Sequence, residues 1–420
     1  MNSAWLAGGV FLITYGIIVT ERVHRTVAAL LGGVAMIVLG VLPQEQAFHA
    51  IDWNVIFLLA GMMAIANVLS ETGLFQWIAV QAVKLGKGDP FRILIILSLV
   101  TAFTSALLDN VTIVVLIAPV TLFVAANLRI SPIPFLIAEI LASNIGGTAT
   151  LIGDPPNIII GSAAGIDFLT FAANLGPISL LILAAFIASS WWLFRKDLRN
   201  YTDAPRDLEV LETAELITDG PMLRKALIVM GAVGLGFILH GALNLEPATI
   251  ALAGATVLML WSRSDPHHIL REIEWTTLGF FVGLFITVEA VVHVGIIEVV
   301  AQAALRLTGG DLALTSMLLL WMSAIGSGIV DNIPYTATMV PVVKSLGQAM
   351  PIDPLWWSLA LGACLGGNLT LVGASANVVV ASIAERSGHP ISFMHFFRYG
   401  FITTFLSLVL ASLYVWLRYL

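Results

Sequence analysis

Two long apolar stretches of this chain are interrupted by the same polar step. Leu107-Leu108-Asp109-Asn110-Val111-Thr112 stands between apolar runs, and Ile329-Val330-Asp331-Asn332-Ile333-Pro334 repeats the pattern 222 positions later. A carboxylate within hydrocarbon is expensive, so its default reading is functional. Two of them in matching positions constrain the fold further, because transporters build sites at the bilayer midplane from duplicated, interrupted helices.

The 420 residues are 59% hydrophobic and 11% charged, roughly half the charged share of a soluble domain. Apolar runs of about 17 residues or more recur throughout, which predicts an all-α polytopic membrane protein with no large soluble domain. Cys364 is the one cysteine, which excludes an intramolecular disulfide and a Cys-rich metal site. No metal, cofactor or nucleic acid is expected. The N-terminus lacks a basic n-region and a small-residue cleavage site, so Ala4 to Val19 reads as the first span.

Residues 1–222 form a first repeat. It has spans at 4–20, 26–42 and 53–69, an interfacial amphipathic helix at 73–85, and apolar arms at 93–108 and 111–127 flanking Asp109-Asn110. The stretch 133–163 is too long for one helix. Its middle, Asn144-Ile145-Gly146-Gly147-Thr148-Ala149-Thr150-Leu151-Ile152-Gly153-Asp154-Pro155-Pro156-Asn157, is predicted to be unwound by its glycines and prolines. A span at 178–194 and a polar linker at 195–225 follow. Residues 223–420 retrace this order, with arms at 312–330 and 335–348 and a broken stretch at 355–385. There Gly366-Gly367-Asn368-Leu369-Thr370-Leu371-Val372-Gly373-Ala374-Ser375-Ala376-Asn377 matches the first break at an offset of 220. Several landmarks keeping nearly one spacing indicate an internal duplication.

If each Asp-Asn segment is a re-entrant hairpin, each half has five crossings and the second half is inverted. With the Arg22–Arg25 turn in the cytoplasm, 16 of the 19 Lys and Arg residues fall on that side, against Arg306, Lys344 and Arg418. This fits the positive-inside rule. The expected fold is therefore an inverted repeat of five transmembrane helices plus one hairpin per half: ten spans, an inward hairpin near 93–127 and an outward one near 312–348.

Unwound backbone at membrane depth is tolerated only where it is buried in protein or lines a cavity. The breaks and tips carry amides (Asn110, Asn144, Asn157, Asn332, Asn368, Asn377) and hydroxyls (Thr112, Thr148, Thr150, Thr336, Thr370, Ser375) beside Gly146, Gly147, Gly366 and Gly367. Such a set suits a small neutral or weakly charged polyhydroxy or oxyanionic solute. Asp109 and Asp331 are candidates for proton or Na⁺ coupling, and Asp154 for coupling or for capping the helix that restarts at Pro155.

Plainer readings stand beside these. Glycine pairs in membrane helices are commonly packing contacts. Asp109 and Asp331 also suit hairpin caps. Glu139 and Glu289 lie in spans but have Leu359 and Asn67 as repeat mates; His240 and His293 read as interfacial; Cys364 reads as a small apolar filler. Two carboxylates in apolar helices also allow an intramembrane aspartyl protease, but a protease dyad needs no duplication of all its neighbours.

The segments LLDNVTIVVLIAPVT, ASNIGGTATLIGDPPNIIIGS, VDNIPYTATMVPVV and LGGNLTLVGASANVVVASIAE resemble the arsenite permease and sodium/proton antiporter-like branch of the ion transporter superfamily. That branch includes arsenical pump membrane proteins and the melanocyte pink-eyed dilution protein. The resemblance covers nearly the whole chain. It implies a scaffold domain that dimerises and a transport domain holding hairpins and broken helices in the cell membrane. Dicarboxylate symporters of the superfamily carry Ser-Asn-Thr at the tips as part of sodium sites. Here the tips read Asp109-Asn110-Val111 and Asp331-Asn332-Ile333, so coupling to protons is expected instead. The resemblance implies a secondary active exporter of trivalent metalloid, arsenite or antimonite, by proton antiport. A sodium/proton antiporter or an anion carrier of dicarboxylate or chloride type is the alternative, and a soluble ATPase subunit is a compatible partner.

Overall fold

The computed structural model describes residues 2–20, 22–128, 130–198, 216–262 and 265–420. Among them all regular structure is helical. The first half runs α1 (Asn2–Thr20), α2 (Arg25–Val38), α3 (Gln44–His49), α4 (Trp53–Glu71), α5 (Leu74–Gly86), α6 (Pro90–Ser105), α7 (Asn110–Leu128), α8 (Ile133–Gly147), α9 (Pro155–Ala164) and α10 (Phe168–Leu198). The second half gives ten more in the same order. These are α11 (Gly220–Leu243), α12 (Pro247–Ser262), α13 (Pro266–Arg271), α14 (Trp275–His293), α15 (Ile296–Thr308), α16 (Leu312–Val330), α17 (Asn332–Leu346), α18 (Asp353–Gly366), α19 (Ser375–Arg386) and α20 (Phe393–Tyr419).

Local chemistry explains the boundaries. Asp52 caps α4 by accepting from the N–H groups of Asn54 and Val55 at 3.0 and 3.2 Å. Asp89 caps α6, with Pro90 at its first position, and Asp311 caps α16; a side-chain oxygen at this position satisfies an otherwise orphaned helix N–H. The corners α4–α5 and α14–α15 turn on Gly73 (φ 77°) and Gly295 (φ 79°), repeat mates in a conformation that needs glycine. Pro119 in α7 and Pro341 in α17 are also mates, each within the second arm of a hairpin.

Among the described residues, eight helices are long and apolar enough to cross a membrane: α1, α4, α7, α10, α11, α14, α16 and α20. The ten-span arrangement takes α7 and α16 as hairpin arms. It adds the shorter apolar α2 and α12 and the broken pairs α8/α9 and α18/α19. The expected span at 178–194 belongs to a longer helix, α10, and the corresponding last helix of the second half, α20, is likewise long. The expected linker is shorter than 195–225: α10 continues through Leu198, and Asp219 starts α11 by accepting from the N–H of Met222 at 2.8 Å. Positions 199–215 of that linker lie outside the described residues.

Packing follows the duplication. α2 packs on α14 as α12 packs on α4, and α6 lies on α8 as α16 lies on α18. The halves also interlock, since α7 touches α19 and α17 touches α9. Helices α1, α2, α4, α11, α12 and α14 thus form one layer, and the hairpins with the broken helices form another.

Candidate solute-binding site

Both predicted breaks are present. Helix α8 stops at Gly147 and α9 starts at Pro155; α18 stops at Gly366 and α19 starts at Ser375. Their backbone is held by the same bonds twice. The Asn157 amide donates to the carbonyls of Gly147 and Thr150 at 3.0 and 2.9 Å; Asn377 donates to those of Gly367 and Thr370 at 2.7 and 2.9 Å. The Thr150 hydroxyl donates to Ala106 O and that of Thr370 to Gly328 O, both at 2.5 Å, tying each break to the preceding hairpin arm. Ser105 to Ser143 O (2.9 Å) and Ser327 to Ala363 O (2.6 Å) repeat the same relation. Buried backbone that has left its helix must find such partners.

The two breaks meet through side chains. The Asn144 amide donates to Asn368 Oδ1 at 2.9 Å and to Asn377 Oδ1 at 3.0 Å, and Asn110 donates to Asn144 Oδ1 at 3.0 Å. One hairpin tip and both broken helices are therefore joined at one residue. The repeat places Cys364 opposite Asn144, and the thiol makes the mirror contact, donating to Asn157 Oδ1 at 3.1 Å. Cys364 is thus a polar member of this lattice, flanked by Thr148 and Asp154, and not merely an apolar filler.

The glycines serve close approach. A Cβ on Gly146 would lie 2.0 Å from Ala102 O, and one on Gly366 2.4 Å from Ala324 O. On Gly147 it would meet Gly153 O at 2.5 Å, and on Gly367 Cys364 O at 3.2 Å. Gly146 and Gly366 let the hairpin arms touch the broken helices, which is the packing role. The Thr148 hydroxyl bonds back to Asn144 O at 2.7 Å. Two buried atoms of the proposed set, Asn110 Oδ1 and Thr336 Oγ1, have no hydrogen-bond partner among the described residues. A buried unpaired polar group is costly, so these two atoms are open to a further hydrogen-bond partner.

The three aspartates differ. Asp109 accepts from Thr112 N at 3.0 Å and from its hydroxyl at 2.5 Å, capping α7. Asp331 accepts from Ile333 N at 2.9 Å, capping α17, and from the Ser375 hydroxyl at 2.8 Å. Asp154 departs from the capping expectation: its side chain makes no bond to α9. It is fully buried and accepts from the Asn332 amide of the other hairpin tip, at 3.1 and 3.2 Å. Pro155 and Pro156 have no N–H to offer, and the first one available, on Asn157, pairs with the Asp154 main-chain carbonyl at 2.9 Å, which leaves the carboxylate to Asn332. Asp154 lies within electrostatic reach of Asp109 and Asp331.

One site residue had no sequence signal. Arg25, counted above with the cytoplasmic turn, begins α2 and reaches the second break. Its guanidinium lies 3.7 Å from Asp331 Oδ2 and donates to Ser375 Oγ. A fixed cation thus stands beside the second break without belonging to it. Tyr15 makes a second link between layers, its hydroxyl donating to Pro334 O at 2.9 Å beside Thr338. Glu139 accepts from the Thr121 hydroxyl at 2.5 Å, away from the breaks. A separate cavity of about 520 Å³ lies between α4, α9 and the α11–α12 turn, lined by Asn54, Ser162, Asp167, His240 and Glu246. His240 is used there structurally, accepting from Phe168 N at 3.0 Å.

Comparison with known proteins follows this geometry. The family model described as "Citrate transporter" matches residues 15–362. The chain is 48% identical over 418 residues to an uncharacterized transporter of Mycobacterium tuberculosis, covering 98% of this chain and 97% of that one. It is 46% identical over 419 residues to the 46 kDa membrane protein of Mycobacterium leprae, covering 98% of each. It is 35% identical over 482 residues to the P protein of Homo sapiens, covering 94% of this chain and 58% of that protein. The crystal structure of the Alcanivorax borkumensis YdaH transporter, described as having an unusual topology, superposes with a TM-score of 0.59. It covers 88% of this chain and 86% of that one at 14% identity, a likeness of fold.

Proposed function

We propose, for a chain that belongs to the citrate transporter family and is therefore a multi-pass membrane transporter, that it is a proton-coupled secondary carrier of a small, oxygen-rich solute. The observation behind this reading is the buried amide lattice joining the two breaks, Asn110–Asn144–Asn368/Asn377, with Asp154 held by Asn332. Amides and hydroxyls exchange hydrogen bonds with a hydroxylated solute at little desolvation cost. Export of arsenite or antimonite in exchange for protons is the specific form of the proposal. At neutral pH arsenite is an uncharged trihydroxide, which the lattice suits. Asn110 and Thr336 are the first candidates to bind it; Asp109, Asp154 and Asp331 carry the proton. Cys364 supplies one thiol, too few to chelate arsenic.

A second reading, a carrier of small anions, is favoured by Arg25 beside Ser375 and Asp331. Citrate itself suits the site less well: Arg25 is already paired with Asp331, Asp154 lies within electrostatic reach of Asp331 and Asp109, and a multiply charged acid would meet the repulsion of these carboxylates.

Everted vesicles from a host without metalloid efflux test the proposal. An acid-inside gradient is expected to drive arsenite uptake, and Asp109→Asn with Asp331→Asn to abolish it. Uptake that ignores the gradient sinks the metalloid form. Sodium-driven flux without arsenite resistance favours sodium/proton exchange.

A further inference from the structure

Arg25 stands outside the duplication, since its repeat mate is Pro247. Its guanidinium lies over the Phe280 ring of α14, 5.6 Å from the centroid, so the layer of α2 and α14 holds it. The groups it reaches belong to the other layer: Asp331 caps a hairpin arm and Ser375 begins α19. These three side chains and His24 line a cavity of about 200 Å³ whose remaining walls are apolar, Ile18, Phe280, Val330 and Val372 among them. Asp331 holds φ at 99°, a conformation that L side chains rarely adopt and that clusters at functional sites. Its carboxylate therefore occupies a cationic, hydroxyl-lined cavity at the expense of backbone strain.

We propose that Arg25 and Ser375 form an anion site whose resident counter-ion is Asp331, and that a small singly charged oxyanion takes that place when Asp331 is protonated. The inference rests on the anion-carrier reading above. The proton adds to one Asp331 carboxylate oxygen, and no covalent bond to the solute forms. Arg25 keeps its charge, the Asp331 carboxyl becomes neutral, and the anion supplies the negative charge that Asp331 gave up. The loaded site thus has the net charge of the empty one, and one proton and one anion are bound together. Other charged groups face the cavity's surroundings: Glu274 at the start of α14 is within electrostatic reach of Arg25 and Asp109, and Asp154 of Asp331. These carboxylates disfavour a second negative charge on the solute, which limits the class to monovalent anions.

Binding of nitrate and formate to the purified full chain, with sulfate as the doubly charged control, tests this directly. For the wild type, nitrate affinity is expected to rise by up to about tenfold per pH unit on acidification, as one linked proton requires. Asp331→Asn combined with His24→Gln, which also removes the other titratable side chain lining the cavity, is expected to bind nitrate equally at all pH values, as tightly as the acidified wild type. Arg25→Gln is expected to lose at least about tenfold, the scale of one charged hydrogen-bonded contact, with partial recovery in Arg25→Lys. Wild-type affinity that does not vary with pH overturns the inference, as does an Arg25→Gln protein that binds like the wild type. If neither variant folds, the pH slope of His24→Gln, in which Asp331 is the titratable side chain left in the lining, decides alone. Proton-driven arsenite uptake without anion binding removes this inference and leaves the carrier reading intact; no proton-driven flux of any of these solutes removes the carrier reading itself.

Discussion

Asn144 and Asn377, one from each broken helix, share a side-chain hydrogen bond of 3.0 Å at the centre of the protein. The repeat image of that bond is the Cys364 thiol on Asn157. The two halves are thus joined at equivalent points by different chemistry, an amide on one side and a thiol on the other.

Asn144→Leu should therefore be among the most damaging conservative-sized changes. It removes the shared partner of Asn110, Asn368 and Asn377, and each unpaired buried amide costs about 1–3 kcal/mol. A thermal melt in detergent should show a large fall in Tm. Asn144→Cys, which installs the residue found at its mate, should lose clearly less. Equal losses in the two variants would mean that the lattice does not hold the breaks together.

Gly146→Ala and Gly366→Ala should not yield folded protein, because the added methyl would enter the carbonyls of Ala102 and Ala324. Gly231→Ala in α11 is the control, with nothing within 4 Å of its added methyl. It should gain stability by about 1 kcal/mol from helix propensity. Monodispersity on gel filtration separates the two outcomes.

Asp154→Asn should keep the fold, since an amide can still pair with Asn332, and should uncouple the carrier. Solute exchange without a gradient is expected to persist while acceleration by a proton gradient disappears. Gradient acceleration equal to the wild type would remove Asp154 from the coupling machinery.

Asp167, in the turn before α10, allows a pH prediction. Partial burial works to raise its carboxyl, but the N–H and hydroxyl of Thr170 and the nearby His240 outweigh this and hold it below the usual range. A depressed folded value means stability that is present above the unfolded pKa and is lost as pH falls through the folded one. Asp167→Ala should cost about 1 kcal/mol at pH 7, the usual worth of a helix cap. The gap in Tm from wild type should close in strong acid; a gap that stays constant with pH would contradict the assignment.

Much of the architecture was legible in residue order alone. Apolar run lengths gave the helices. The glycines and prolines of 144–157 and 366–377 gave the breaks, which fall between Gly147 and Pro155 and between Gly366 and Ser375. Helix starts at Asp52, Asp89 and Asp311 follow from local hydrogen bonding, which involves residues two or three positions apart and so is written in the sequence. Of the two readings for Asp154, the cap is not made: the first N–H after Pro155 and Pro156 goes to its main-chain carbonyl, and its side-chain partner, Asn332, is 178 positions away.

By itself, then, the sequence determined that this is a duplicated, polytopic helical protein with paired polar interruptions, because hydrophobic periodicity and backbone propensity are local properties. Only the tertiary structure decided which interruptions meet, that Asn144 and Cys364 make mirror contacts across them, and that Arg25 stands beside Asp331. Those facts depend on how the two layers pack, and a turn arginine whose repeat mate is a proline reads identically whether it faces water or a buried carboxylate.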